Sequence, residues 1–290
     1  MDAEIKKYLS EISLDLQSFL LLKAGLKPAV RQGFKKTKNS YDEIAKKLGL
    51  VLKIKQFKKL YWYVSDTPIE VLYAGLLEPS VQAAYEAEAK GDMLSFGQLL
   101  GYPECCIKNF AERLDTEKDF MVSAFKRTKT KPSFFCNGIF NIESKWLCGN
   151  DSFQQDEQVF SDFNRLFLIK HIPHALDCPE SIKLGKKTLE LLKKESPEFA
   201  KEIVEALNKP VLYFNYFDWL VFKGKVRGSE LIYDEVVSNR SYSPVDKINK
   251  ISQGNRLRIS DKKLTIYKDR RVVGEIAKKN EDDGFLIDFK

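Results

Sequence analysis

The sequence predicts an α+β protein: a mainly helical N-terminal and central region with a small β-hairpin, followed by a C-terminal β domain whose strand spacing suits a small barrel. Three observations predict this. Apolar residues recur at helical spacing near the N-terminus and through the middle of the chain. After Pro210 the period shortens and turn residues multiply. The 290 residues, 43% hydrophobic and 12% aromatic, can bury cores of that kind. We read residues 1–66 as a basic helical and hairpin region, 67–208 as a helical core and 209–290 as a basic β domain.

Ile5, Leu9, Ile12, Leu16 and Phe19 or Leu20 mark an amphipathic helix over about 3–24. Ser40, with Glu43 three residues on, opens a short helix ending near Leu48. Residues 50–57 and 60–64 then read as a hairpin with lysines on one face. Thr67-Pro68-Ile69-Glu70 has the form of a helix start: a cap, Pro at the first position, and a Glu returning to the cap. Further helices are expected from Ser80 to Lys90, from Asp92 to near Gly101 and from Pro103 to about Leu114. A loop is expected over 131–152, followed by helices at 156–170, from Pro179 and over 198–207. Strands are expected over 211–222, 231–237, 257–266, 271–276 and 285–289, with Ser260 to Lys263 as a hairpin tip.

Charge is segregated along the chain. Between Lys23 and Lys59 twelve Lys or Arg face two acids, and between Arg240 and Lys279 twelve face four. The chain's net charge of +7 therefore combines segments of +10 and +8 with a remainder of −11. Such blocks suit a polyanionic partner, whereas a generally lysine-rich surface would mix its signs. No apolar run approaches the roughly 18–20 residues that cross a bilayer. Asp2 and Glu4 stand where a secretory signal would be basic. The expectation is a soluble, cytoplasmic protein without a membrane.

Five cysteines, an odd number without secretory context, argue against a disulfide framework. Cys105 and Cys106 lie in Gly-Tyr-Pro-Glu-Cys-Cys-Ile, and Cys178 lies in Asp-Cys-Pro-Glu-Ser-Ile. With Pro opening a helix in each, all three fall at a helix start, where free amides and the dipole stabilise a thiolate. The only two histidines, His171 and His174, precede Cys178 in a segment that Pro173 removes from the helix before it. Cys105, Cys106, His174 and Cys178 make four N/S ligands, the number zinc takes; an iron–sulfur cluster is the alternative, with Cys136 or Cys148 as an extra thiolate and His171 as a further ligand. One geometric objection stands. Neighbours on a helix point about 100° apart, so Cys105 and Cys106 need not reach one ion. Cys106 as a core residue and His171 as a helix-end histidine are the plainer readings.

Gly-Tyr-Pro-Glu-Cys-Cys-Ile-x-x-Phe at 101–110 and His-x-Pro-His-x-x-x-Cys-x-x-Ser at 171–181 resemble the largely archaeal prokaryotic family called domain of unknown function 483. The match is carried by about 80 residues of the central part. The resemblance implies that cysteine often stands where this chain has His174, an exchange of one soft ligand for another. It implies no reaction.

Three functions fit these readings. The first is a metal- or cluster-bearing protein acting on RNA, with tRNA modification or processing foremost; Glu104 and Asp177, beside the ligands, are its candidate acid–base groups. The second is a non-enzymatic, zinc-stabilised nucleic-acid-binding protein. The third is a thiol or sulfur-handling redox enzyme without nucleic acid. Arg256, Arg258, Lys262, Lys263, Arg270 and Arg271 are the candidate phosphate contacts. Tyr213 to Trp219 is either a stacking platform or a buried strand. The chain has no Gly-rich phosphate loop and no nucleophile elbow.

Overall fold

A computed structural model describes residues 3–33, 39–60, 63–139, 166–215, 218–240, 246–279 and 283–290. Cys148 and residues 156–165 of an expected helix lie outside them. The architecture is α+β, with helices and a three-stranded sheet first and a seven-stranded antiparallel sheet last.

The helix expected over 3–24 is two, α1 (Ala3–Glu11) and α2 (Leu16–Lys23). Ser13 takes a left-handed φ of 55°, and Asp15 restarts the helix by accepting the Ser18 amide. The apolar pattern does not register the break, because Leu9, Ile12, Leu14 and Phe19 are buried on both sides of it.

β1 (Ala29–Gly33), α3 (Tyr41–Leu48), β2 (Val51–Leu60) and β3 (Tyr63–Gly75) follow, with sheet order β1-β3-β2 and antiparallel pairing throughout. α3 starts on Ser40, as the sequence predicts, and Gly49 closes it in the left-handed region. The helix start expected at 67–70 is overturned, since these residues belong to β3. Val71, Leu72 and Tyr73 each pair with β1 on one side and β2 on the other, and all three are buried. That pairing and burial outweigh a four-residue capping signal. Pro68, which has no amide hydrogen to donate, lies beyond the last β1 partner and beside the register shift between Phe57 and Lys59.

Next come α4 (Glu78–Lys90), α5 (Met93–Leu99), α6 (Glu104–Arg113) and α7 (Phe120–Arg127). Val81, Ala84 and Phe96 share one core with Phe57, Val71 and Tyr73 of the small sheet. The buried Glu88 carboxylate is satisfied there by Arg31, at 3.0 Å, and by the Tyr73 hydroxyl. Residues 166–170, expected as the end of a helix, are not helical. Leu166, Phe167, Leu168 and Ile169 are all buried, and one helix face cannot turn four consecutive side chains inward. α8 (Pro179–Glu195) and α9 (Pro197–Leu207) lie where the prolines and periodicity place them.

The C-terminal sheet contains β4 (Val211–Asn215), β5 (Asp218–Arg227), β6 (Glu230–Arg240), β7 (Arg256–Ile259), β8 (Lys263–Lys268), β9 (Arg271–Ala277) and β10 (Phe285–Ile287). α10 (Asp246–Ser252), which the sequence reading missed, precedes β7. The strand expected over 211–222 is divided between β4 and β5. Tyr213, Phe214 and Trp219 are buried, so the stacking-platform reading of that segment gives way to the core reading. Strand order is β10-β4-β5-β6-β7-β8-β9, linear rather than closed among the described residues. Even so, Leu212 and Phe214 of β4 share one core with Leu264 of β8 and Ile276 of β9, so the sheet curls round its apolar face. Register shifts in β5 and β8 assist that bending.

The backbone groups into two compact units, one of residues 1–116, 138–171 and 179–203, the other of 117–137, 172–178 and 204–290.

Within the first unit Lys170 is buried. Its Nζ lies 2.7 Å from Asp15 Oδ2 and donates to Gln32 Oε1 at 2.8 Å. Burial pushes the Asp15 carboxyl up, but the Lys170 ammonium and the Ser18 amide outweigh it and hold the group below its ordinary 3.8. Its contribution to stability is therefore complete above about pH 4 and is lost as pH falls through the lower folded value. Lys170→Met should cost about 3–5 kcal/mol in urea unfolding at pH 7 by leaving a buried carboxylate unpaired. With Lys170 gone, burial raises the Asp15 pKa, so this variant should gain stability from Asp15 as pH falls from 7 to 4, where the wild-type contribution stays constant.

Candidate metal centre

Pro103 takes extended dihedrals and caps α6, which makes Cys105 and Cys106 the second and third helical residues. Gly101 sets the approach to this start. Its φ is +70°, and a Cβ there would stand 2.7 Å from the Leu26 carbonyl oxygen and 2.9 Å from Lys27 Cγ, so only glycine lets the backbones come this close. Gly97 likewise makes room for Ile107, whose side chain a Cβ would meet at 2.7 Å. The helix start is thus located by two glycine contacts.

His174 and Cys178 lie in residues 172–178, a seven-residue connection bonded at one end to buried His171 and at the other to Pro179, the first residue of α8. The connection has no regular structure, and its shape comes from specific bonds. The Cys178 amide donates to the Ala175 carbonyl, and the Leu176 amide donates to Thr128 Oγ1. Asp177 Oδ2 accepts from the Lys129 and Thr130 amides and the Thr130 hydroxyl. Burial raises the Asp177 carboxyl, but these hydrogen bonds outweigh it and hold the group below its ordinary value.

Cys105, Cys106, His174 and Cys178 meet. One ligand atom from each lies within 4.8 Å of the others. The Sγ atoms of Cys105 and Cys106 are 4.0 Å apart, which answers the geometric objection: in a first helical turn two neighbouring side chains can bend toward one point. A tetrahedral ion with metal–sulfur bonds of about 2.3 Å separates its sulfurs by about 3.8 Å. Cys106 and Cys178 are buried, while Cys105 reaches solvent.

The two further ligands considered from sequence have other places. His171 is buried, and its Nε2 lies 2.8 Å from Ser181 Oγ, which lies 3.3 Å from Cys106 Sγ. With Cys106 as a thiolate, the serine proton is the one available to it. In that state Ser181 would donate to Cys106 and accept from His171 Nε2–H. The His171 ring also packs on Tyr102, with centroids 5.1 Å apart, and Lys27 Nζ stands 5.0 Å from the Tyr102 centroid. Cys136 is buried beside Cys178, whose backbone amide serves its sulfur, and burial first and the neighbouring Cys178 second push its thiol well above the usual range. His171 and Cys136 thus line the four-ligand group without belonging to it.

Glu104 is exposed, and Lys108, one turn on, lies 2.6 Å away and lowers its pKa; its observed role is that of a first-turn acid. Ser181 and Tyr102 were missed from sequence. The signal for Ser181 was present, since Pro-Glu-Ser-Ile at 179–182 parallels Pro-Glu-Cys-Cys-Ile at 103–107.

The candidate phosphate contacts all fall on the C-terminal sheet and its turns. Arg258, Lys262, Arg270 and Arg271 are exposed. Lys263 is paired with Glu275 at 2.5 Å, and Arg256 lies over the Tyr267 ring at 4.4 Å. The N-terminal basic segment differs. Arg31 is bound to Glu88, Lys53 to Glu78 and Lys47 to Glu4, while Lys27 and Lys55 lie over Tyr102 and Tyr85.

Comparison of the chain with known family models, with curated proteins and with solved structures finds no match in any of the three.

Ser181→Ala removes the link between His171 and Cys106. It should lower stability by about 1–3 kcal/mol through the buried imidazole left without its serine partner. It should also weaken metal affinity by about 10–100-fold, read by competition with a chromophoric chelator. Cys136→Ala should leave the metal content unchanged.

Proposed function

We propose that the protein is a zinc-stabilised RNA-binding protein of tRNA processing or modification. A single zinc on Cys105, Cys106, His174 and Cys178 locks the starts of α6 and α8, and the basic C-terminal sheet takes up the RNA. The observation that carries this reading is the closeness of the four ligand atoms, all within 4.8 Å. In an iron–sulfur cluster the ligands are divided among two or more irons, and those on different irons stand farther apart than the edge of one ion's tetrahedron, so the mutual closeness of all four favours a single ion. Three thiolates and an imidazole suit zinc, and four protein ligands leave no open position for substrate. The net negative charge of such a centre also matches its place at helix N-termini.

The RNA half rests on charge. The described cations of the N-terminal segment are largely engaged by acids and aromatic rings within the protein, whereas Arg258, Lys262, Arg270 and Arg271 project from the C-terminal sheet. A second reading, a metal-centred enzyme, is favoured by one feature: Cys105 reaches solvent, and a metal-bound thiolate there is open to an electrophile.

Protein purified without oxygen should carry about one zinc per chain and no visible absorption. Iron with acid-labile sulfide would overturn the zinc assignment. Cys178→Ala should lose the metal, and a folded variant that kept it fully would remove Cys178 from the ligand set. Because thiolates and neutral imidazole are the binding forms, zinc should dissociate as pH falls. The zinc-loaded chain should bind tRNA with an affinity that falls linearly in log–log form with salt; no binding at low salt would overturn the RNA half.

A further inference from the structure

The outer face of the C-terminal sheet carries two neighbouring rows of side chains that differ in kind. Strand register sets Lys225 of β5 beside Ile232 of β6, Ile232 beside Arg256 of β7, Arg256 beside Tyr267 of β8, and Tyr267 beside Val272 of β9. Two residues along, the next row runs Arg227, Glu230, Arg258, Thr265, Glu275. Alternation assigns the face: Leu231, Leu257, Ile266 and Leu264, one step away along their strands, form the buried core on the other side.

The first row has an uncommon composition for solvent. Ile232 is 41% and Val272 55% exposed, and Val273, next to the row, is 41% exposed. Between the two apolar groups the Arg256 guanidinium stacks on Tyr267, 4.4 Å from its centroid. Its Nε, shielded by that stack, has no hydrogen-bond acceptor among the described residues. Lys225 stands at one end of the row, and the row contains no acid. The second row is nearly self-neutral, with Glu230 cross-strand from both Arg227 and Arg258, and Glu275 bound to Lys263. A cationic row with flat and apolar members, bordered by a screened one, is complementary to a ligand with aromatic faces on an anionic backbone. A duplex hides its base faces, whereas a single strand offers them.

We infer that the outer face of β5–β9 is a single-stranded RNA platform, on which a base stacks at the Arg256–Tyr267 pair between Ile232 and Val272 while a phosphate meets Lys225. The inference deepens the RNA half of the proposed function and rests on it. It moves the centre of binding from the hairpin tips at Lys262 and Arg270 to the middle of the sheet. Arg256 and Tyr267 act there together: the guanidinium covers one face of the ring and offers its own plane for stacking.

The test uses the full zinc-loaded chain and fluorescent RNA, with a mixed-sequence single-stranded oligonucleotide of about 12 nucleotides as the probe and the same sequence as a duplex for comparison. The wild type should bind the single strand more tightly than the duplex. Tyr267→Ala should weaken single-strand binding about tenfold at fixed salt, and Tyr267→Phe should keep it, because the stacking face is retained. Lys225→Ala should lower the salt slope by about one without changing base preference. Equal binding by Tyr267→Ala, Arg256→Gln and the wild type, with loss only in Lys262→Ala or Arg270→Ala, would overturn the platform while leaving the RNA reading intact. Preference for the duplex would overturn the platform as well. No binding of either RNA at low salt would remove the RNA reading and the platform with it. Circular dichroism of each variant separates lost binding from lost fold.

Discussion

Two helix N-termini do not come together of their own accord. Each leaves amides without partners and carries the positive end of a dipole, so their approach is favourable only when negative charge or hydrogen-bond acceptors lie at the meeting point. α6 and α8 begin at such a point, with Cys106 Sγ 3.3 Å from Ser181 Oγ. Around this contact the chain spends its least replaceable residues. Gly101 admits the backbone at 26–27, Pro103 and Pro179 set the helix starts, and His171 holds Ser181 from behind while packing on Tyr102. Zinc would add the missing charge balance: three thiolates and one divalent ion leave a net negative centre where two dipoles favour one. Metal binding at this place is then also folding free energy, because the ligands are not gathered in an unfolded chain.

Two buried charge clusters of the first unit are compensated in the same way. Lys170 is neutralised by Asp15 and bonded to Gln32, and Glu88 is met by Arg31 and Tyr73. In these two clusters each buried charge has an opposite charge and at least one further hydrogen bond, the condition under which burial of ions is tolerable. Two segments with similar positive charge differ in their surfaces. Arg31, Lys53 and Lys47 answer acids within the fold, whereas most of the C-terminal cations lie on strands and turns that face outward.

Sequence reading succeeds here wherever the information is local. Ser40 and Asp92 cap their helices, Pro103 and Pro179 precede or open theirs, and Ser260 to Lys263 forms a hairpin tip because capping and turn chemistry act over three or four residues. It fails where a distant partner decides. Thr67 to Glu70 carries a capping pattern and yet is strand, since β1 and β2 on either side of Val71–Tyr73 supply the hydrogen bonds and the burial. The break at Ser13 is invisible in the apolar pattern because Leu9, Ile12, Leu14 and Phe19 are buried on both sides of it. Residues 166–170 leave the helical pattern for the same kind of reason: all four apolar side chains of the run are buried at once.

By itself the sequence determined the α+β division, the identity of the four metal-ligand candidates and the segregation of charge, because each depends on residue type and short spacing. Tertiary structure decided what those residues do together. It brought Cys105, Cys106, His174 and Cys178 within 4.8 Å, left His171 and Cys136 outside the group, and linked His171 to Cys106 through Ser181. It also set Arg256 on Tyr267 in the middle of a sheet face. The physical reason is that a ligand set and a cross-strand row are properties of distance in space. Chain position fixes such distances over one helical turn or one hairpin, and beyond that they depend on which cores and hydrogen bonds the whole fold can satisfy at once.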